Sequence, residues 1–175
     1  FIKRIEAILK KKKRRLIGWD EIREGGLSTD ATVMSWRGEA GGIASAKEGH
    51  DVVMTPIKLT YFDHYQAPAQ EELAKGKKFE AIGGLLPLIN IYNYNPVPAE
   101  LTKEEARHIL GTQAQLWSEY MKTWDKVEYM AFPRIAALAE VAWSQMAVKD
   151  FEDFSKRIKH IKLQYKRAGI NFYQK

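Results

Sequence analysis

The sequence predicts an α/β protein in which parallel strands are joined by crossover helices. Segments of strand and helix character alternate about four times along the chain, and no hairpin signal separates two apolar runs. Length bounds the result: a complete (β/α)8 TIM barrel takes about 250 residues. The 175 residues therefore correspond to roughly half of one, read as its C-terminal half, with the N-terminal half absent from this chain.

Residues 1–14, "FIKRIEAILKKKKR", form an amphipathic helix with Phe1, Ile5, Ile8 and Leu9 near helical spacing. The chain opens in mid-helix on Phe1, so the N-terminus of a longer protein is expected to precede it. Leu16–Trp19 is a strand, "EGGLSTD" a loop and Ala31–Trp36 a second strand. A glycine-weakened helix ending at Gly49 leads to the strand "DVVMTP", and "KLTYFDHY" reads as strand running into loop. Gln66–Glu80 is polar and loop-like. "LLPLINIYNYNPVP" holds three prolines and reads as an extended excursion with a short turn or helix.

Thr102 with Glu105 three positions on is a capping box, opening a short helix through His108. "ILGTQAQLW" reads as a strand and "VEYMAFPRIAALAEVAWS" as one long helix. Asp150 caps a last helix with a stripe of Phe151, Phe154, Ile158, Ile161 and Tyr165, ended by Gly169.

Composition narrows the function classes. With 45% hydrophobic and 29% charged residues the chain fits one soluble globular domain with a real core. The formal charge of +6 is concentrated in six consecutive cations, Lys10 to Arg15. Such a run can mark nucleic-acid or membrane attachment; a solvated helix end favoured by the helix dipole is the reading adopted, with neither nucleic acid nor membrane as partner. There are no cysteines, so disulfides and thiolate metal sites are excluded. His50, His108 and His160 lack metal-ligand spacing. No phosphate loop or nucleophile elbow is present, and no cofactor is implied.

In a barrel of this kind the chemistry sits where strands end. Those ends read Trp19-Asp20-Glu21, Trp36-Arg37, Tyr61-Phe62-Asp63 and Trp117-Ser118-Glu119. Each carries an aromatic residue, and three place a carboxylate within two positions of it. Pyranose rings offer apolar C–H faces to aromatic planes, while their hydroxyls need polar partners. The pattern points to a carbohydrate or another polar ring.

The blocks "LIGWDEI", "MSWRG", "EGHDVVMTP", "YFDHYQ", "ILGTQAQLWSEY" and "VEYMAFPRIAALAEVAWS" together resemble the C-terminal half of the catalytic barrel of glycoside hydrolase family 20, the β-N-acetylhexosaminidases, from about Phe1 to Ser144. The whole chain, 1–175, is expected to belong to that barrel, with 150–175 a closing helix and tail. The resemblance implies removal of terminal β-linked N-acetylglucosamine or N-acetylgalactosamine, with the substrate's own acetamido oxygen as nucleophile. Tyr61 then resembles the tyrosine that hydrogen-bonds this oxygen, and Trp19, Trp36 and Trp117 the tryptophans that enclose the acetamido group and underlie the sugar. Asp63 and Glu119 resemble the carboxylates that accept bonds from the outer hydroxyls around O4 and O6.

The resemblance makes N-acetylhexosamine-terminated glycans the substrate and the N-terminal half of the same barrel a partner. In this family the general acid belongs to an adjacent Asp–Glu pair on an earlier strand, and an arginine on the first strand grips the sugar. Both would lie upstream of Phe1, so the chain alone is expected to be almost inactive. Asp20 and Glu21 look like that pair but follow a wall tryptophan, and read as hydrogen-bonding support for the loops. His64 and Arg134 read as structural. A non-catalytic glycan-binding module would use the same tryptophans and carboxylates and differs in having no need of Tyr61. A nucleic-acid-binding helix through Lys10–Arg15 would show affinity that falls steeply with salt.

Overall fold

In the computed structural model, residues 1–174 are described. The chain divides into two compact units, one made of Phe1–Ile57 with Pro96–Gln113, the other of residues 58–95 and the chain from Ala114 onward.

The first unit is built on four strands in the order β1 (Ile17–Trp19), β2 (Thr32–Ser35), β3 (Val52–Met54) and β4 (Ile109–Thr112). All three pairings are parallel, as the alternation requires. Trp19 aligns with Met34, and Val33 with Val52. Val33, Val52 and Met54 are fully buried, where their β-branched or flexible side chains suit a covered sheet. The crossover from β2 to β3 is the helix Ala40–Lys47. Its small residues permit a close approach: a Cβ at Gly42 would stand 3.2 Å from Ser35 Cβ and Val52 Cγ1.

The N-terminal helix spans Ile2–Lys11, with Lys10 and Lys11 in its last turn beside the negative end of the helix dipole. Glu6 ties it to the next loop by accepting from Ser28 N at 3.1 Å and Ser28 Oγ at 2.9 Å. The capping box forms as expected: Thr102 Oγ1 accepts from Glu105 N at 3.3 Å and Glu105 Oε2 from Thr102 N at 2.8 Å. The helix that it opens is short, Lys103–Ala106.

The second unit is largely helical. One core cluster joins Phe62, Leu86, Ile91, Tyr92, Ala137, Leu138, Phe154 and Ile158. A second joins Tyr65, Ala81, Met121, Tyr129 and Met130. The last helix, Phe151–Arg167, is capped by Asp150, whose carboxylate accepts from Glu152 N at 2.8 Å and Asp153 N at 3.2 Å. Phe154 and Ile158 of its stripe are buried, and Gly169 turns the chain away with φ +71°.

Four expectations are corrected. Residues 127–144 are not one helix. The chain forms Trp124–Ala131 and Arg134–Trp143, with Phe132 extended between them, because the residue before a proline is driven out of the helical region. "KLTYFDHY" adds no ladder strand: Ile57–Thr60 is a helical turn, and Tyr61 makes an isolated parallel bridge to Gln115. The strand drawn through Trp117 stops at Thr112. Gln66–Glu80 is not all loop, since it holds the helix Ala69–Ala74, with Glu71 and Glu72 in its first turn, and the 3-10 turn Lys77–Phe79. No described helix is long and apolar enough to cross a membrane.

Candidate active site

In the first unit β1 ends at Trp19 and β2 stops one residue before Trp36. Both tryptophans are half-buried. The pairing ends at Trp19↔Met34, and two residues further on in each segment come Glu21, in the 3-10 turn Asp20–Gly25, and Trp36. The Glu21 carboxylate there accepts the indole Nε1–H of Trp36, at 3.0 Å to one oxygen and 3.1 Å to the other. Arg37 completes the group, with ion pairs to Glu21 at 3.1 Å, Glu24 at 3.4 Å and Asp20 at 3.9 Å.

Adjacent carboxylates diverge here. Burial pushes the Asp20 carboxyl above its usual value, against the pull of the backbone amides of Arg37 and Trp36. Glu21 feels some burial too, yet its own backbone amide, the Trp36 indole and Arg37 hold it below the usual range. The pair is thus held in cationic and amide contacts, as expected of support. The partner of Glu21 is more specific than a loop: it is the side chain of Trp36. The parallel register and the offset of two residues were the signal for it.

In the second unit the bridge between Tyr61 and Gln115 sets two segments side by side, with Phe62 N donating to Gln115 O at 2.8 Å and Gln115 N to Thr60 O at 2.9 Å. This brings Tyr61 and Trp117 together, ring centroids 6.3 Å apart and planes tilted by 41°. Tyr61 is 7% exposed and Trp117 40%, so one ring is buried and the other offers a face to solvent. Asp63 is buried beside them, and its Oδ1 has no hydrogen-bond partner. Burial pushes the Asp63 carboxyl up and the Glu119 charge adds to this, while its own backbone amide and Arg134 oppose it. Glu119 is exposed.

His64 lies near Tyr61, ring centroids 6.2 Å apart and planes tilted by 41°, and its imidazole pKa is lowered by burial and by Arg134. It packs over Gly84, where φ is +64° and an added Cβ would lie 2.7 Å from His64 Nδ1. Arg134 is fully buried. Its guanidinium donates to the carbonyls of Met130 (from Nε at 3.0 Å), His64 (3.0 Å), Leu86 (3.2 Å) and Phe62. It therefore pins the Phe62–His64 backbone from behind, the structural role expected of it.

Tyr61, Asp63, Trp117 and Glu119 thus share one patch of the second unit, and Trp19 and Trp36 stand at adjacent strand ends of the first. No cluster of metal-ligating side chains occurs among the described residues. The arrangement offers aromatic faces, a buried phenol and two carboxylates of different exposure, suited to gripping a polar ring.

The sequence pattern described as "Glycosyl hydrolase family 20, catalytic domain" matches residues 1–146. A β-hexosaminidase of Porphyromonas gingivalis is 49% identical over 175 residues, covering 99% of this chain and 22% of that protein. A β-hexosaminidase of Vibrio furnissii is 35% identical over 77% of the chain. The crystal structure of the GH20 exo-β-N-acetylglucosaminidase of Vibrio harveyi with N-acetylglucosamine superposes with a TM-score of 0.82 at 32% identity, over 97% of this chain and 26% of that one. The GH20 β-N-acetylhexosaminidase of Streptomyces coelicolor gives 0.84 at 25% identity, over 100% and 35%. The chain spans about a fifth to a third of the length of these relatives, so its parallel sheet and helices are part of a TIM barrel. By its sequence and its fold, the chain belongs to the catalytic domain of glycosyl hydrolase family 20.

Proposed function

We propose that this chain contributes the sugar-binding walls of a β-N-acetylhexosaminidase that releases terminal non-reducing N-acetylglucosamine or N-acetylgalactosamine with retention of configuration. Residues 1–175 act as part of its catalytic barrel, with 150–175 as a closing helix and tail. The observation that carries the reading is the burial of Tyr61 against Trp117, beside Asp63 and Glu119.

In this reading the Tyr61 hydroxyl donates to the substrate's acetamido oxygen and aims it at the anomeric carbon, so the substrate supplies its own nucleophile. Trp19, Trp36 and Trp117 enclose the acetamido group and the ring face. Asp63 and Glu119 accept bonds from the outer hydroxyls and make the pocket an exo-acting one. The proton donor for the leaving oxygen comes from barrel segments outside these 175 residues. A positioned acid contributes about 10²–10⁴-fold, so the isolated chain turns over little.

The test uses the full-length protein with a chromogenic N-acetyl-β-glucosaminide. Tyr61→Phe is expected to lower kcat/KM by about 10²-fold, the scale of one lost stabilising donor. Wild-type turnover in that variant overturns the role of Tyr61. A glycan-binding module would instead bind N-acetylglucosamine without releasing the chromophore.

A further inference from the structure

Asp20 and Glu21 have the form of a catalytic pair, yet the side chains of both engage Trp36 and Arg37, on the segment that follows β2. The Trp36 carbonyl accepts from Ile57 N at 2.8 Å, which anchors the backbone of the tryptophan on one side. Ser35 Oγ donates to Gly38 O at 2.7 Å and accepts from Gly42 N at 2.8 Å, closing the loop just beyond it. Buried Asp20 faces the backbone amides of Arg37 and Trp36, and a Cβ at Gly41 would come within 3.0 Å of its Oδ2. With the backbone held in these ways, the plane of the indole is set by its two side-chain torsions. Glu21 takes the indole N–H between its two oxygens at 3.0 and 3.1 Å.

Arg37 sits with its guanidinium carbon 5.8 Å from the centre of the Trp36 ring and its Nη2 3.1 Å from Glu21. One cation thereby contacts both the carboxylate and the ring that the carboxylate holds. A hydrogen bond to an ionised acceptor is shorter and roughly twice as strong as a neutral one.

We infer that Glu21 is the positioning residue of Trp36, fixing the indole plane so that this wall admits an acetyl group and rejects longer acyl chains. This rests on the placement of Trp36 around the acetamido group proposed above. It makes Glu21 a determinant of acyl-group specificity that acts through Trp36 and has no contact with the reacting atoms.

The experiment takes full-length wild type, Glu21→Leu and Glu21→Gln, with the 4-nitrophenyl β-glycosides of N-acetyl-, N-propionyl- and N-butyryl-glucosamine. Leucine removes both the indole bond and the Arg37 pair, whereas glutamine keeps an oxygen for the indole. Glu21→Leu is expected to lower kcat/KM for the acetyl substrate about tenfold, the scale of one charge-assisted hydrogen bond. It is also expected to narrow the acetyl-to-butyryl preference, with Glu21→Gln keeping most of both. In parallel, the Trp36 indole N–H resonance should move and exchange faster with water in Glu21→Leu alone.

Equal losses on all three substrates, or an unchanged preference, overturn the specificity role. An unchanged indole resonance overturns the clamp. If the wild type hydrolyses none of the three, the proposed activity falls, and the indole resonance still decides the clamp by itself.

Discussion

The two units hold their candidate site residues by opposite means. In the first, Trp36 is steadied from the solvent side by a carboxylate and a guanidinium that are both substantially exposed. In the second, the Tyr61–Asp63 segment is steadied from within, by a fully buried arginine that collects carbonyls from three separate stretches of chain. Exposed charge pairs contribute little to stability, whereas a buried charge stripped of its partners is strongly destabilising. Loss of the Glu21–Arg37 pair should therefore cost the first unit little overall stability even where it frees a side chain locally, whereas loss of Arg134 should unfold the second.

That contrast is most exposed to failure at Arg134. Arg134→Met leaves the carbonyls of Met130, Phe62, His64 and Leu86 without their donor, and the expected loss exceeds about 4 kcal/mol. Thermal unfolding of the full-length protein followed by circular dichroism measures it. A loss below about 1 kcal/mol would place Arg134 with the exposed pairs and erase the distinction.

Lys126 tests the second unit from the other direction. It is buried, its Nζ has no hydrogen-bond partner, and it lies 5.5 Å from the ring centre of Tyr129 and 5.8 Å from that of Phe79. Burial lowers its pKa to about 8, with Arg134 and Lys75 adding to the effect and Glu72 and Glu80 opposing it. Below pH 8 both folded and unfolded states carry the charge, and folding bears the full burial penalty. Between about 8 and 10.5 the unfolded state binds more protons, so stability rises with pH. Lys126→Met should therefore stabilise by about 2 kcal/mol at pH 7, after allowance for the lost ring contacts. The gain should fade towards pH 10.5 in denaturant titrations run across that range.

In the first unit, Ser35→Ala removes the hydroxyl that bridges Gly38 and Gly42 and strands the buried Gly42 amide. The expected cost is about 1–2 kcal/mol, read from the denaturation midpoint, with a larger rise in KM than fall in kcat as the Trp36 loop loosens. Smallest is Asp150→Ala, which strips the cap from the last helix. It should cost about 1 kcal/mol and leave KM unchanged, since that helix end holds no candidate site residue.

Much of this was legible in the sequence because local chemistry and global fold agree. Val33 and Val52 sit where a covered parallel strand wants β-branched residues, and the Thr102–Glu105 spacing specifies its cap without tertiary help. The misreadings share a different cause. "KLTYFDHY" has strand composition, but Tyr61 obtains its single bridge from Gln115, 54 residues on, and no local pattern reports a pairing at that distance. The 127–144 helix keeps its apolar period across Phe132–Pro133, and periodicity outweighed the proline. Tertiary placement explains the partial success with Glu21: the Trp19↔Met34 pairing and the 3-10 turn after β1 together bring it to Trp36, whereas its neighbours in sequence suggest only a generic acid pair.

The order of the strands has one more consequence, in time and not in space. Thr32 pairs with Ile17 across 15 residues, whereas Ile109 pairs with Val52 across 57. Closing the longer loop costs about 1 kcal/mol more in chain entropy, and non-local pairings are the slow ones in folding. The β1–β2–β3 ribbon, with Trp19 and Trp36 at its strand ends, is therefore expected to assemble before β4 arrives. Until it does, the open edge of β3 can pair with other chains, and that interval is when a ribosome or chaperone has most to protect.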